Sequence, residues 1–231
     1  MKDIFERTLV ITPHLDDETI GCGGTIAKIV GEGCNVKIVL ATEPVGFRSA
    51  HLGCDVDPSE RFESFFNAMK LLGVPRENLV LLRGFEESRT DEKPIVEMIT
   101  FFDILISDYK PTAVLFPYSS HHQDHRYVNQ AVTASLRPKV SSNFIRLKAM
   151  YEYPYITGWN DSFIPSSKIY IELTREIMSK KSRALDCYDS QLNRDPRDLL
   201  DKSSILSLAS VRGHEIGVDY AEVLYPMSIV F

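Results

Sequence analysis

The order of residue types along this chain predicts an α/β fold: a Rossmann-like three-layer sandwich in which helices cover both faces of a mostly parallel sheet. Short β-branched runs alternate with segments whose apolar residues recur at helical spacing. The breaks between them fall at Gly or Pro. A chain of 231 residues, 44% apolar and 25% charged, is also long enough for one substantial core, so a single domain spanning 1–231 is expected.

The elements follow in order. Thr8 to Thr12 is a β-branched run ended by Pro13, and Asn35 to Thr42 is another. Glu18 to Val30 lies between them as a helix stopped at Gly31 or Gly33, giving a βαβ unit. Ser59 is the expected N-cap of a helix in which Phe62, Phe65, Phe66, Met69 and Leu72 form the stripe and Gly73 the stop, with a strand at Leu79 to Leu82 after it. Ile95, Met98, Ile99, Phe102, Leu105 and Ile106 mark a third helix, and Pro111 precedes a buried-strand run from Thr112 to Phe116. A fourth helix is expected from Asp124 to Leu136, ended by Pro138. Beyond it, strands are expected at Ile145 to Met150 and Lys168 to Leu173, and helices at Arg175 to Tyr188 and around Asp198 to Leu208.

Composition excludes several function classes. The net charge of -6 and pI near 5.6 leave no dense Lys/Arg stripe for nucleic acid or an anionic membrane, and Lys180-Lys181 reads as a solvated helix face. Cys22, Cys34, Cys54 and Cys187 are scattered without CxxC spacing, as expected for reduced thiols in a cytoplasmic protein. No stretch approaches the ~18 apolar residues of a membrane span, and the N-terminal apolar run is too brief for a signal-peptide core. The expected partner is a small molecule, and a homo-oligomer is compatible with these properties.

Two polar clusters carry the chemistry. His14, Asp16 and Asp17 follow the first strand, and His122, Asp124 and His125 follow the strand at Thr112, so both sit where an α/β sheet places its ligand crevice, outside the carboxyl ends of the strands. Zinc in hydrolytic sites is commonly held by three His or carboxylate ligands, with a position left for water whose pKa falls to about 7. His14, Asp17 and His125 would supply that set. A single carboxylate keeps the ion a strong Lewis acid, so the other carboxylates need other work. Asp16, pointing differently from its neighbour on an extended loop, is the candidate general base. His122 is the candidate oxyanion stabiliser or acid, particularly if Asp124 accepts its other ring N–H. Against this, Asp-Asp-Glu before a helix often only complements the helix dipole. The joint occurrence of both clusters outweighs that reading.

These clusters resemble the PIG-L/LmbE-like family of zinc-dependent N-acetylglucosaminyl deacetylases, with signatures (P/A)HxDDE and HxDH. Here they stand as Pro13-His14-Leu15-Asp16-Asp17-Glu18 and His122-Gln123-Asp124-His125. Arg61-Phe62-Glu63, Leu72-Gly73-Val74, Lys181 to Ala184, Ser190-Gln191, Arg212-Gly213 and Tyr220-Ala221-Glu222 extend the resemblance over nearly the whole chain. It implies Zn²⁺ on His14, Asp17 and His125, with Fe²⁺ or another divalent metal compatible with the same donors. It further implies Asp16 as base, His122 as oxyanion stabiliser or acid, and Asp124 behind a histidine. The substrate implied is a GlcNAc-type glycoconjugate, and Arg61 would contact its sugar. The competing reading of Arg61 is an exposed first-turn residue paired with Glu63 or nearby acids. Where some relatives carry a tyrosine two residues before the first His of HxDH, this chain has Ser120, and Tyr118 is out of register.

Alternatives follow from the same residues. A related amidase acting on another acyl-amine would use the same set and differ only in walls drawn from 43–58, 86–93 and 151–165. A noncatalytic sugar- or metal-binding relative would not need Asp16. A dinucleotide site is disfavoured because Gly21-Cys22-Gly23-Gly24 follows the acidic cluster instead of forming GxGxxG at a strand end, so these glycines are expected to serve close helix packing. His121 is expected to face water, His51 and His214 to be ordinary loop histidines, and Tyr151, Tyr153, Tyr155 and Trp159 to be either a sugar-facing wall or core packing.

Overall fold

The structure, a computed structural model, describes residues 1–48, 55–140, 144–154, 167–192, 195 and 197–231. A short helix α1 (Lys2–Phe5) leads into β1 (Arg7–Thr12), whose residues are buried after Arg7. Helix α2 (Asp17–Gly31) and strand β2 (Asn35–Leu40) complete the first βαβ unit. A two-stranded ribbon of β3 (Phe47–Arg48) and β4 (Asp55–Val56) precedes α3 (Pro58–Leu72), β5 (Leu79–Leu81), α4 (Ile95–Tyr109), β6 (Ala113–Pro117) and α5 (Gln123–Ser135). The remaining elements are β7 (Leu147–Tyr151), β8 (Ile169–Leu173), α6 (Arg175–Asp186), α7 (Asp189–Leu192), α8 (Lys202–His214) and β9 (Tyr220–Ile229).

The main sheet has the order β5-β2-β1-β6-β7-β9-β8. Its pairings are parallel from β5 to β7, and among the described strands of this sheet only β9 runs against the others, lying antiparallel to both β7 and β8. The order reverses at β1, since the chain moves outward to β2 on one side and later returns to β6 on the other. Successive side chains of β1 serve opposite cores: Val10 packs under α2, α3, α6 and α8, while Leu9 and Ile11 pack under α4 and α5. This is the expected three-layer arrangement.

Several expectations need correction. Asp57, not Ser59, caps α3, accepting the Ser59 N–H at 2.8 Å with Pro58 in the first helical position. The last helix begins at Lys202 because Asp201 caps it, so Arg212-Gly213-His214 is its final turn and not a loop, with His214 exposed. Lys181 is not on a solvated face. It is buried in an ion pair with Glu222 at 2.6 Å, whereas Lys180 is half-buried and pairs with Glu176. Strand β9 escaped the sequence reading because it holds a buried Glu222 and a Pro226, neither of which suits a strand pattern; Pro226 falls where the β7–β9 register shifts. Cys22, Cys34 and Cys187 are free thiols, as expected. His51, Cys54, Tyr155 and Trp159 lie outside the described residues.

Gly21 and Gly24 of α2 permit close packing, as anticipated. A Cβ on Gly21 would stand 2.3 Å from the Tyr151 ring and 2.7 Å from the Glu152 carbonyl oxygen, whereas one on Gly31 would meet nothing within 4 Å. Gly21→Ala is therefore expected to destabilise the fold by about 3 kcal/mol through overpacking, and Gly31→Ala to be neutral or stabilising by up to ~1 kcal/mol. Denaturant unfolding of the two variants beside the parent chain measures the contrast.

Candidate metal centre

Strands β1 and β6 are hydrogen-bonded neighbours, with Val10 opposite Leu115. The loops that leave their carboxyl ends therefore emerge side by side. The first loop is pinned by two threonines: Thr12 Oγ1 donates to the His14 carbonyl at 2.6 Å and Thr42 Oγ1 to the Pro13 carbonyl at 2.7 Å. Asp17 opens α2, and its Oδ2 accepts the His14 backbone N–H at 3.0 Å. The second loop runs into α5, where His122 is the N-cap residue and His125 lies in the first turn.

The two loops bring three donor atoms together. His14 Nδ1 lies 3.1 Å from Asp17 Oδ2, His125 Nε2 lies 3.2 Å from the same oxygen, and the two ring nitrogens are 3.3 Å apart. Donors held at about 2.0–2.1 Å around a tetrahedral ion stand roughly 3.3 Å from one another, so this triangle has the dimensions of one coordination face. Asp17 is fully buried, and its Oδ1 has no hydrogen-bond partner among the described residues. Two imidazoles and one carboxylate with converging lone pairs fit a divalent cation of the zinc type. His122 borders the set: ligand atoms of His14, His122 and His125 lie within 4.8 Å of one another.

Asp124 stands behind His14. Its Oδ2 is 2.9 Å from His14 Nε2 and accepts the Ser88 N–H at 2.7 Å, while Oδ1 accepts from Thr90 Oγ1 at 2.7 Å. An Nε2–H donated to this carboxylate leaves the Nδ1 lone pair of His14 facing the triangle. The sequence expectation that Asp124 takes a ring N–H of His122 is corrected here. His122 Nδ1 instead accepts the Asp124 backbone N–H at 3.3 Å, and its distance to Asp124 Oδ2 is 4.0 Å. His122 thus holds its proton on Nε2.

The environment separates the titrating groups. Burial would lower His14, but the neighbouring Asp17 and its hydrogen bond to Asp124 raise it well above the usual imidazole value. Burial would raise Asp17, but His125 and His14 hold it well below the carboxylate range. Asp124 is likewise brought down to about 2, against its burial, by the hydrogen bond from His14. Asp16 behaves oppositely: burial and then the charge of Asp17 push it up to about 7, with His14 and Arg61 opposing. Asp16 makes no capping bond at the start of α2. Burial, with His14 and His125, lowers His122 to about 4.

A cavity of about 280 Å³ opens over these groups, lined by His14, Asp16, His122 and His125 together with Phe47, Arg61, Glu87, Ser120, Tyr153, Gln191 and Leu200. Of the candidate site residues, His14, Asp16, Arg61, His122 and His125 line it, and Asp17 and Asp124 lie beneath its floor. Arg61 is neither exposed nor paired with Glu63. It is buried, bonded twice to Glu87, and donates to the Val45 carbonyl at 2.9 Å. Ser120 accepts the His122 N–H at 3.3 Å, and Tyr118 packs against Tyr225 outside the lining. His121 is partly exposed and outside the lining. Tyr153 sets its ring edge-on to His125, 4.8 Å between centroids, so that tyrosine faces the site. Sequence reasoning missed Glu87 and Leu200 as individual residues, although Glu87 falls in the segment marked as a variable wall and Gln191 in a stretch quoted for the resemblance.

The chain is similar to known proteins over most of its length. Residues 9–136 match the family model described as PIG-L, GlcNAc-PI de-N-acetylase. The chain is 24% identical over 205 residues to a probable N-acetyl-alpha-D-glucosaminyl L-malate deacetylase 2 of Bacillus subtilis, covering 85% of this chain and 88% of that one. It is 27% identical over 229 residues to the diacetylchitobiose deacetylase of Thermococcus kodakarensis, covering 94% and 81%. The crystal structure of a conserved protein, TT1542, from Thermus thermophilus superposes with a TM-score of 0.74 at 24% identity, covering 97% and 96%, and so shares the fold.

The Arg61–Glu87 pair carries a pH-dependent stability. Burial would raise Glu87, but the Arg61 guanidinium holds it below its usual value. A depressed folded-state pKa stabilises the fold above the unfolded value of about 4.3, and the contribution disappears as pH falls through the folded value. Arg61→Met is expected to cost about 2 kcal/mol at neutral pH by leaving the half-buried Glu87 carboxylate unpaired, less than for a fully buried charge. The gap between parent and variant should narrow below about pH 4.3 in denaturant titrations.

Proposed function

The chain belongs to the GlcNAc-PI de-N-acetylase (PIG-L) family, and on that premise we propose that it is a zinc-dependent N-deacetylase. It hydrolyses the acetamide of an N-acetylglucosamine-type glycoconjugate to acetate and a free amino sugar. The observation that carries this reading is the triangle of His14 Nδ1, Asp17 Oδ2 and His125 Nε2, with Asp16 lining the cavity beside it. The deacetylase names of the relatives support the same substrate class. The chain acts as one domain over 1–231, since Leu200 and Gln191 from its last third line a cavity built on its first.

His14, Asp17 and His125 would hold the cation, which would supply Lewis acidity toward the amide carbonyl and the attacking water. The protein's own groups handle the protons. Asp16, with a pKa brought near neutrality, takes a proton from the attacking water as its oxygen bonds to the acetyl carbon. The same carboxyl then delivers that proton to the amine nitrogen as the C–N bond breaks. His122, neutral and protonated on Nε2, donates to the carbonyl oxygen while negative charge accumulates there. Asp124 keeps His14 in the ligating tautomer. Arg61, braced by Glu87, presents its edge to the sugar.

Zinc is the metal proposed, although Fe²⁺ satisfies the same donors, and elemental analysis of freshly purified protein identifies which is carried. A panel of GlcNAc conjugates assayed for acetate release tests the activity; folded, zinc-loaded protein that releases none would sink the substrate class. Asp16→Asn is expected to keep its zinc and lose about 10²–10⁴-fold in kcat. Asp124→Asn is expected to weaken zinc binding by about 10–100-fold, measured by competition with a chromophoric chelator.

A further inference from the structure

Helix α2 is broken. Cys22 sits at φ -145° and ψ 24°, outside helical geometry, so Asp17 to Gly21 form a single turn and a second segment begins after the break. A lone turn has little stability of its own, and a break leaves carbonyls on one side and N–H groups on the other without helical partners. Both sets are answered by one buried ion pair. Lys181 Nζ, from α6, donates to the Ile20 carbonyl at 2.8 Å and to Glu222 Oε1 at 2.6 Å. Glu222, from β9, accepts the Gly24 N–H at 2.9 Å, the Thr25 N–H at 2.6 Å and the Thr25 hydroxyl at 2.7 Å. Lys181 is 2% exposed and Glu222 4%.

Neither residue lines the cavity, yet the turn they hold carries Asp16 at its cap and Asp17 at its first position. We propose that Lys181 and Glu222 are positioning residues: by joining the two halves of α2 across Cys22 they hold Asp17 against His14 and His125 and so set the cation affinity of the site. The inference rests on the metal-binding reading above. Pairs that serve folding alone are different in consequence. Their loss lowers the melting temperature but leaves the affinity of the native state unchanged while nearly all molecules are folded.

The test compares zinc dissociation constants of the parent chain, Glu222→Gln, the neutral double variant Lys181→Met/Glu222→Gln, and Thr25→Val, by chelator competition well below each melting temperature. Circular dichroism checks the fold. The Glu222→Gln and double variants are expected to bind zinc about tenfold more weakly, the size of effect seen when a group supporting a metal ligand is lost, and Thr25→Val, which removes one hydroxyl donor and no charge, about threefold. At saturating zinc, kcat should fall while KM stays within about twofold, because the substrate wall formed by Arg61 and Glu87 is not on α2. A lower melting temperature with unchanged zinc affinity, in whichever of these variants is folded, overturns the proposal. Failure of the parent chain itself to bind zinc would overturn the metal-binding reading instead.

Discussion

The parallel pairing of β1 with β6 is the constraint from which the site follows. These strands are about a hundred residues apart in the chain, and their hydrogen-bonded register sets the loop after Thr12 beside the loop after Pro117. Neighbouring strands lie about 4.8 Å apart, so residues just beyond their ends can meet without a long excursion of either loop. Because the strand order reverses at this pair, no crossover helix closes the space above it. The polar clusters occupy that opening.

Crowding several carboxylates into one buried region would be unfavourable if they shared an environment. The fold gives each a different set of partners, with His14 shared between Asp17 and Asp124 through its two ring nitrogens. Asp17 faces His14 and His125, Asp124 accepts from His14, Ser88 and Thr90, and Glu87 is held by Arg61. Glu18 hydrogen-bonds the Thr19 and Tyr188 hydroxyls, and burial pushes it up to about 7. Asp16 lines the cavity and, with its raised pKa, differs from the paired Asp17 next to it. The partners come from loops and helices scattered along the chain, so protonation states of adjacent residues diverge through contacts made at long range. That divergence suits acid–base chemistry.

The far side of α2 shows a second use of buried charge. Replacing an ion pair of this kind by apolar groups is often neutral for stability, so a buried Lys–Glu pair needs a reason beyond holding the core together. Here both members spend their hydrogen bonds on backbone groups orphaned by the break at Cys22. Gly21 lets the same segment approach Tyr151 and Glu152 closely, and Arg212 bonds Glu152 from α8. The carboxyl-terminal third therefore acts on the amino-terminal motif through packing as well as through the residues it lends to the cavity wall.

By itself the sequence determined what is local. Apolar spacing located the six longer helices and the parallel strands, though not the short α1 and α7, Gly and Pro marked their ends, and the two clusters after buried strands contain the three atoms of the triangle and the carboxylate beside them. Tertiary structure decided whatever depends on a partner far along the chain. Asp124 turns to His14 and not to His122 because the crossing loops, not the short spacing within the second cluster, set that distance. Arg61 is buried against Glu87, Lys181 against Glu222, and β9 takes its place despite Glu222 and Pro226 because its neighbours β7 and β8 complete its hydrogen bonds. The reason is the same in each instance: dihedral preference and periodicity act over a few residues, whereas the charge a buried group carries is set by whichever atoms folding brings within about 3 Å of it.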